Sequence, residues 1–120
     1  MECEGSVSVD LLDQAKIDRL ANEIGEENVP VLLEIFLGEL SNYIATLSQL
    51  VTQKQDSYLQ EISHALKSSA ASFGAEALRT FSVELDARAK AGEPLSSEDD
   101  KQQMLSLLKQ TEQRYKQLLD

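Results

Sequence analysis

From Asn28 to Gln53 the chain carries a stripe that only a helix can use. Leu33, Phe36, Leu40, Ile44, Leu47 and Val51 recur at intervals of three and four residues. That spacing lays them along one side of a helix. Leu32, Ile35, Leu37, Tyr43 and Leu50 widen the stripe, so this helix is expected to touch neighbours on more than one side. Pro30 falls in its first turn, where a missing N–H does no harm. Gly38 lies inside it at a cost of about 1 kcal/mol against alanine. Close approach of another helix is the expected reason.

The remaining segments read as partners for that helix. Asp13 is placed to cap a first helix bearing Ile17, Leu20 and Ile24, with Gly25 as its stop. A third helix is expected over roughly Asp56 to Phe73, ended by Gly74. A fourth runs from about Glu76 to Ala91, with Leu78, Phe81, Leu85 and Ala89 inward and Gly92 and Pro94 closing it. Ser97 then precedes Glu98, Asp99 and Asp100, acids that suit a helix N-terminus. Met104, Leu108, Thr111, Tyr115 and Leu118 share one face of the last helix. The connections are short, so sequential helices should pack as antiparallel neighbours. The expected fold is all-α, an antiparallel four-helix bundle with a short N-terminal helix covering one end. Residues 1–12 are expected to form a loosely ordered lead-in, and 13–120 a single domain.

The charge and cysteine content narrow the function. Eleven basic and 21 acidic residues leave a net charge of −10. Such a surface repels nucleic acid and anionic membranes, so neither is expected as a partner. Cys3 is the sole cysteine, which excludes a disulfide framework and a zinc spacing. The opening MECEGSVSVD has neither a basic nor an apolar signal region, and no run approaches the roughly 20 apolar residues of a membrane span. The expected setting is cytoplasmic.

One stretch stands apart from the bundle pattern, EISHALKSSAASFGA over 61–75, which holds the single histidine. At about 100° per residue, Leu59, Ile62, Leu66, Ala70 and Phe73 gather on the core side. His64 falls nearly opposite them, stacked with Gln60, Ser68 and Ala71 along the outer face. Small residues follow the imidazole where long charged stems are commoner on a surface helix. They leave a low shelf that lets a second protein approach the ring. Lys67 lies one turn on, where an ammonium opposes a second positive charge on the ring and attracts an incoming phosphoryl group.

His-x-Leu-Lys, small residues, and Gly-Ala ten positions beyond the histidine together resemble the histidine-containing phosphotransfer (HPt) family. The matching residues are His64, Leu66, Lys67, Ser68, Ser69, Gly74 and Ala75. With IGEENVPVLLEIFLGEL the match covers roughly residues 13 to 91, with a weaker echo to the C-terminus, and is similar to the quorum-sensing carriers within that family. Ser68 departs from the wider family, which often has glycine there. The resemblance implies a four-helix bundle in which His64 accepts a phosphoryl group from a receiver-domain aspartate of a hybrid sensor kinase. It passes the group to the receiver aspartate of a response regulator. Lys67 would hold the phosphoryl group, and Gln60, Ser68 and Ala71 would form the docking surface. No cofactor is implied for the carrier itself, since Mg²⁺ is expected in the partner receiver. A monomer is expected, because the relay must expose the His64 face. No G-x-x-x-x-G-K-[ST] loop occurs, so the reading is a stoichiometric intermediate and not an enzyme.

Other readings explain less. Glu61-x-x-His64 has the spacing of a di-iron ligand pair, but one histidine cannot complete such a site. A nucleophilic hydrolase lacks a second histidine to activate Ser69 or Cys3. A non-catalytic helical adaptor fits the amphipathic helices equally well. It leaves the shelf beside His64 unexplained.

Overall fold

The computed structural model describes residues 11–49, 52–93, 95 and 98–119, with the side chains of 52–56 excepted. Five α-helices follow one another, and no strand occurs among the described residues. They are α1 (Gln14–Ile24), α2 (Val29–Gln49), α3 (Thr52–Phe73), α4 (Glu76–Lys90) and α5 (Glu98–Leu119), with a single 3₁₀ turn at Glu26–Asn28. Helices α2 to α5 form the bundle. Helix α3 packs mainly on α4, and α2 mainly on α5, while α1 lies across α2 and α3.

Two helix limits differ from expectation. Helix α2 ends at Gln49, not Gln53, and α3 begins at Thr52, not Asp56. No glycine or proline marks this boundary, and Gln53, Lys54 and Gln55 are good helix formers, so the sequence carries no local stop signal there. The expected capping residue Ser97, the closing Pro94 and the stripe residues Leu50 and Val51 lie outside the described residues, as does most of the expected lead-in.

The core forms where the stripes meet. Leu33, Phe36, Leu40 and Leu47 of α2 are buried against Leu59, Ile62, Leu66 and Ala70 of α3. Leu78 and Leu85 of α4 and Met104, Leu108 and Tyr115 of α5 close the other side. Phe36 stacks on Phe73 at 4.5 Å and meets the edge of Tyr115 at 5.3 Å. The Tyr115 hydroxyl donates to the Phe73 carbonyl at 2.5 Å, satisfying one of the acceptors that a helix end leaves open. Three helices are thereby joined at the end of α3.

Two residues of α2 correct the expected stripe. Ile35 is 62% exposed, because it sits on the flank beyond the buried set. Gly38 is exposed too, and a Cβ built on it would meet nothing within 4 Å. Among the described residues no neighbouring helix approaches it, and the expected close packing is not found there. Against the expectation from the sequence, the stretch Glu26–Gln49 is long and apolar enough, by length and composition alone, to cross a membrane. Leu33, Phe36, Leu37, Leu40 and Leu47 from it line the core, as the central helix of a bundle requires.

The corner between α3 and α4 is built tightly. Gly74 has φ +76°, with the Ala75 N–H donating to the Ala70 carbonyl at 2.8 Å and its own N–H to the Ala71 carbonyl at 3.3 Å. This is a Schellman ending, which places a glycine where a side chain would be strained. The Gly74 carbonyl accepts the Asp13 N–H at 2.7 Å, pinning the start of α1 to the corner. Asp13 caps α1 through its carboxylate on the Ala15 N–H. Lys16 reaches from α1 to Glu76 at 2.8 Å, and Arg79 pairs with the same carboxylate at 3.0 Å. The Lys16 hydrogen bond leads the effects that hold Glu76 below the usual carboxylate range.

Candidate functional site

Helix α3 turns its apolar side inward as its periodicity demands. Leu59, Ile62, Leu66 and Ala70 are buried, and Phe73 packs partly against them. Opposite them, the His64 side chain is 69% exposed. Gln60 and Ser68 are exposed on the same face, and Ala71 is half-buried. Beyond His64 the shelf runs into an open cleft of ≈ 340 Å³ between α1 and α3, with Ala71 and Ser72 on one wall and Arg19 and Leu20 on the other. The expected outer face is therefore intact, and α1 extends it.

On the α2 side the shelf is fixed by a hydrogen bond. Glu39 accepts from the Ser69 hydroxyl at 3.0 Å and from the Tyr43 hydroxyl at 2.7 Å. Burial and the Glu39 carboxylate hold the Tyr43 phenol well above the ordinary tyrosine range, so it stays a neutral donor. Ser69 thus faces a neighbouring helix, whereas Ser68 and Ser72 face outward.

Helix α4 contributes what the sequence reading of α3 lacks. Asp86 is buried, with its side chain 6% exposed, and its carboxylate lies under the imidazole. One oxygen, Oδ1, stands 3.4 Å from His64 Nδ1. The other, Oδ2, accepts from Lys67 Nζ at 2.6 Å and from Lys90 Nζ at 2.9 Å. Hydrogen bonds from Lys67 first and Lys90 second hold the Asp86 carboxyl far below its usual range, outweighing the desolvation that opposes them. The same contact raises Lys90.

Lys67 stands beside His64 as its place one turn on requires, with Asp86 as its partner. The ammonium is engaged by Asp86, and a carboxylate stands between the two groups. Lys67 is 30% exposed, so it is more enclosed than a solvated surface lysine. Asp86 and Lys90 were missed because their places depend on how α4 sits against α3. One signal was present in the chain: a charged residue, Asp86, directly follows the inward Leu85 on a helix otherwise well patterned.

Chemically, the site can present one nucleophilic nitrogen. A carboxylate oxygen 3.4 Å from Nδ1 favours the tautomer with the proton on that nitrogen. Nε2 then carries the lone pair. Two ammoniums lie close by, and the surrounding side chains are short. Among the described residues no group of three or more His, Cys, Asp or Glu is gathered to hold a metal ion.

The Hpt domain family matches this chain over residues 31–117, and the chain belongs to that family. Among curated proteins it is 56% identical over 108 residues to the phosphorelay protein LuxU of Vibrio cholerae, covering 90% of this chain and 96% of that one. It is 49% identical over 110 residues to the phosphorelay protein LuxU of Vibrio harveyi, covering 92% and 96%. The histidine-containing phosphotransfer protein HptB of Pseudomonas aeruginosa has a similar crystal structure. It superposes with a TM-score of 0.76 over 93% of this chain and 96% of that one, at 23% identity, a likeness of fold alone.

Proposed function

We propose that this protein is a phosphorelay carrier whose acceptor is Nε2 of His64. It takes a phosphoryl group from a receiver-domain aspartate of a hybrid sensor kinase and passes it to the receiver aspartate of a response regulator. The kinship with the LuxU proteins favours a role in quorum-sensing signal transduction. The observation that carries the reading is the 69% exposure of the one imidazole, on a helix whose opposite face is buried.

Transfer requires the donor, phosphorus and acceptor to lie in line, and negative charge on the phosphoryl oxygens to be met. As Nε2 forms its bond to phosphorus, the bond from phosphorus to the aspartyl oxygen breaks, and the carboxylate leaves with that electron pair. Asp86 faces the ring nitrogen that becomes more positive as this happens. Lys67 supplies positive charge beside the arriving group. Gln60, Ser68 and Ala71 form the surface on which a receiver docks. The receiver brings Mg²⁺ and its acidic pocket, so the carrier works without a cofactor or nucleotide site of its own. It acts as a soluble monomer in the cytoplasm, and its contact with each receiver is transient.

The test is incubation with a phosphorylated receiver. An acid-labile, base-stable label should appear on the native protein and be absent from His64→Gln. Label retained by that variant would reject His64 as the acceptor. A helical adaptor would take up no label at all.

A further inference from the structure

We propose that Lys90 is a second phosphoryl-binding cation, held on Asp86 in the resting carrier and transferred to the phosphoryl group when His64 is modified. The inference rests on the phosphocarrier reading above and names a residue of that same site. Two ammoniums share one carboxylate oxygen, Lys67 at 2.6 Å and Lys90 at 2.9 Å from Oδ2. Two ammoniums on one carboxylate leave one positive charge in excess, in a chain whose net charge is −10. A cluster of that sign complements an arriving dianion.

The two lysines are not equivalent. Lys67 is 30% exposed and held on the same helix as His64. Lys90 is 61% exposed, on the last turn of α4, so its flexible four-carbon stem is free to swing. Asp86, at 6% exposure, is the fixed member. Its two oxygens bridge the gap, Oδ1 toward His64 at 3.4 Å and Oδ2 toward both ammoniums, so Lys90 and the ring share one carboxylate. A phosphoryl group offers three oxygens and about two negative charges. It competes well for the looser ammonium, and Asp86 keeps Lys67 as counter-ion.

Phosphoramidate tests this with the carrier alone. Its P–N bond breaks, ammonia leaves with the electron pair, and phosphorus bonds to Nε2. The small donor removes receiver docking from the measurement. Labelling rate is followed against donor concentration for the native protein, Lys90→Gln, Lys90→Arg and His64→Gln, with circular dichroism confirming that each is folded. Lys90→Gln should raise the half-saturating donor concentration about fivefold, the order expected for losing one charge-assisted contact. Lys90→Arg should restore it to within about twofold, since the charge is kept. A Lys90→Gln curve that overlays the native one overturns the proposal, and so does a Lys90→Arg curve as weak as that of Lys90→Gln. Label on His64→Gln would instead overturn the carrier reading itself.

Discussion

Replacing glycine by alanine should have opposite effects at Gly74 and Gly38. At Gly74 the backbone has φ +76°, and an added Cβ would lie 2.8 Å from the Asp13 carbonyl oxygen and 3.0 Å from the Lys16 Cβ. The first neighbour is backbone held by the Asp13–Gly74 hydrogen bond, so it cannot move away without freeing α1. The left-handed conformation costs about 1–2 kcal/mol, and the overpacking about 1–3 more, so Gly74→Ala should destabilise by roughly 2–5 kcal/mol. At Gly38 the helix is regular and nothing lies within 4 Å of the added atom. There Gly38→Ala should stabilise by about 0.5–1 kcal/mol through helix propensity. Urea unfolding followed by circular dichroism measures both, with unchanged m-values showing that the same transition is compared. Gly74→Ala within about 0.5 kcal/mol of the native protein would refute the account of the corner. Gly38→Ala as damaging as Gly74→Ala would refute the open surface assigned to α2.

Tyr115→Phe removes the hydroxyl that satisfies the Phe73 carbonyl. It should lower stability by about 1 kcal/mol in the same urea assay while leaving the aromatic contact in place. Lys67→Ala should slow phosphotransfer from a receiver at least about tenfold with little loss of melting temperature, because Asp86 keeps Lys90 as a partner. Quench-flow labelling and a thermal scan separate the two effects. Asp86 and Glu76 are held below their unfolded values, so their stabilising contribution is full above about pH 5 and is lost as pH falls through the folded values. Tyr43 and Tyr115 are held above theirs, so theirs is full below about pH 10 and is lost as pH rises further. The melting temperature should therefore decline on both sides of that window.

Periodicity made most of the bundle legible. The inward positions of α3 through Ala70 are buried as the 3.6-residue repeat requires, as are Leu78, Phe81 and Leu85 of α4. The same periodicity aimed His64 outward. It was less informative at the flanks. Ile35 is as apolar as a core residue, yet it lies exposed on the flank of α2. Gly38 looked like a contact point because a mid-helix glycine often is one, and here the space beside it is open. The α2–α3 boundary carried no glycine or proline, so propensity extended α2 too far. The charged heart of the site was hidden for a different reason. Lys67 and Asp86 are nineteen positions apart, and only the α3–α4 corner at Gly74 and Ala75 sets the register that brings them together. A helical wheel for α3 alone has no means of showing a carboxylate supplied by α4.

The most direct measurement of the central claim is where phosphorus attaches. A carrier labelled with ¹⁵N at its single histidine, phosphorylated and examined by long-range ¹H–¹⁵N and ³¹P spectroscopy, reports which ring nitrogen is modified. Phosphorus coupled to Nε2, with the proton retained on Nδ1 beside Asp86, is the predicted result. Phosphorus on Nδ1, or on no histidine nitrogen in a protein that nonetheless carries label, would contradict it.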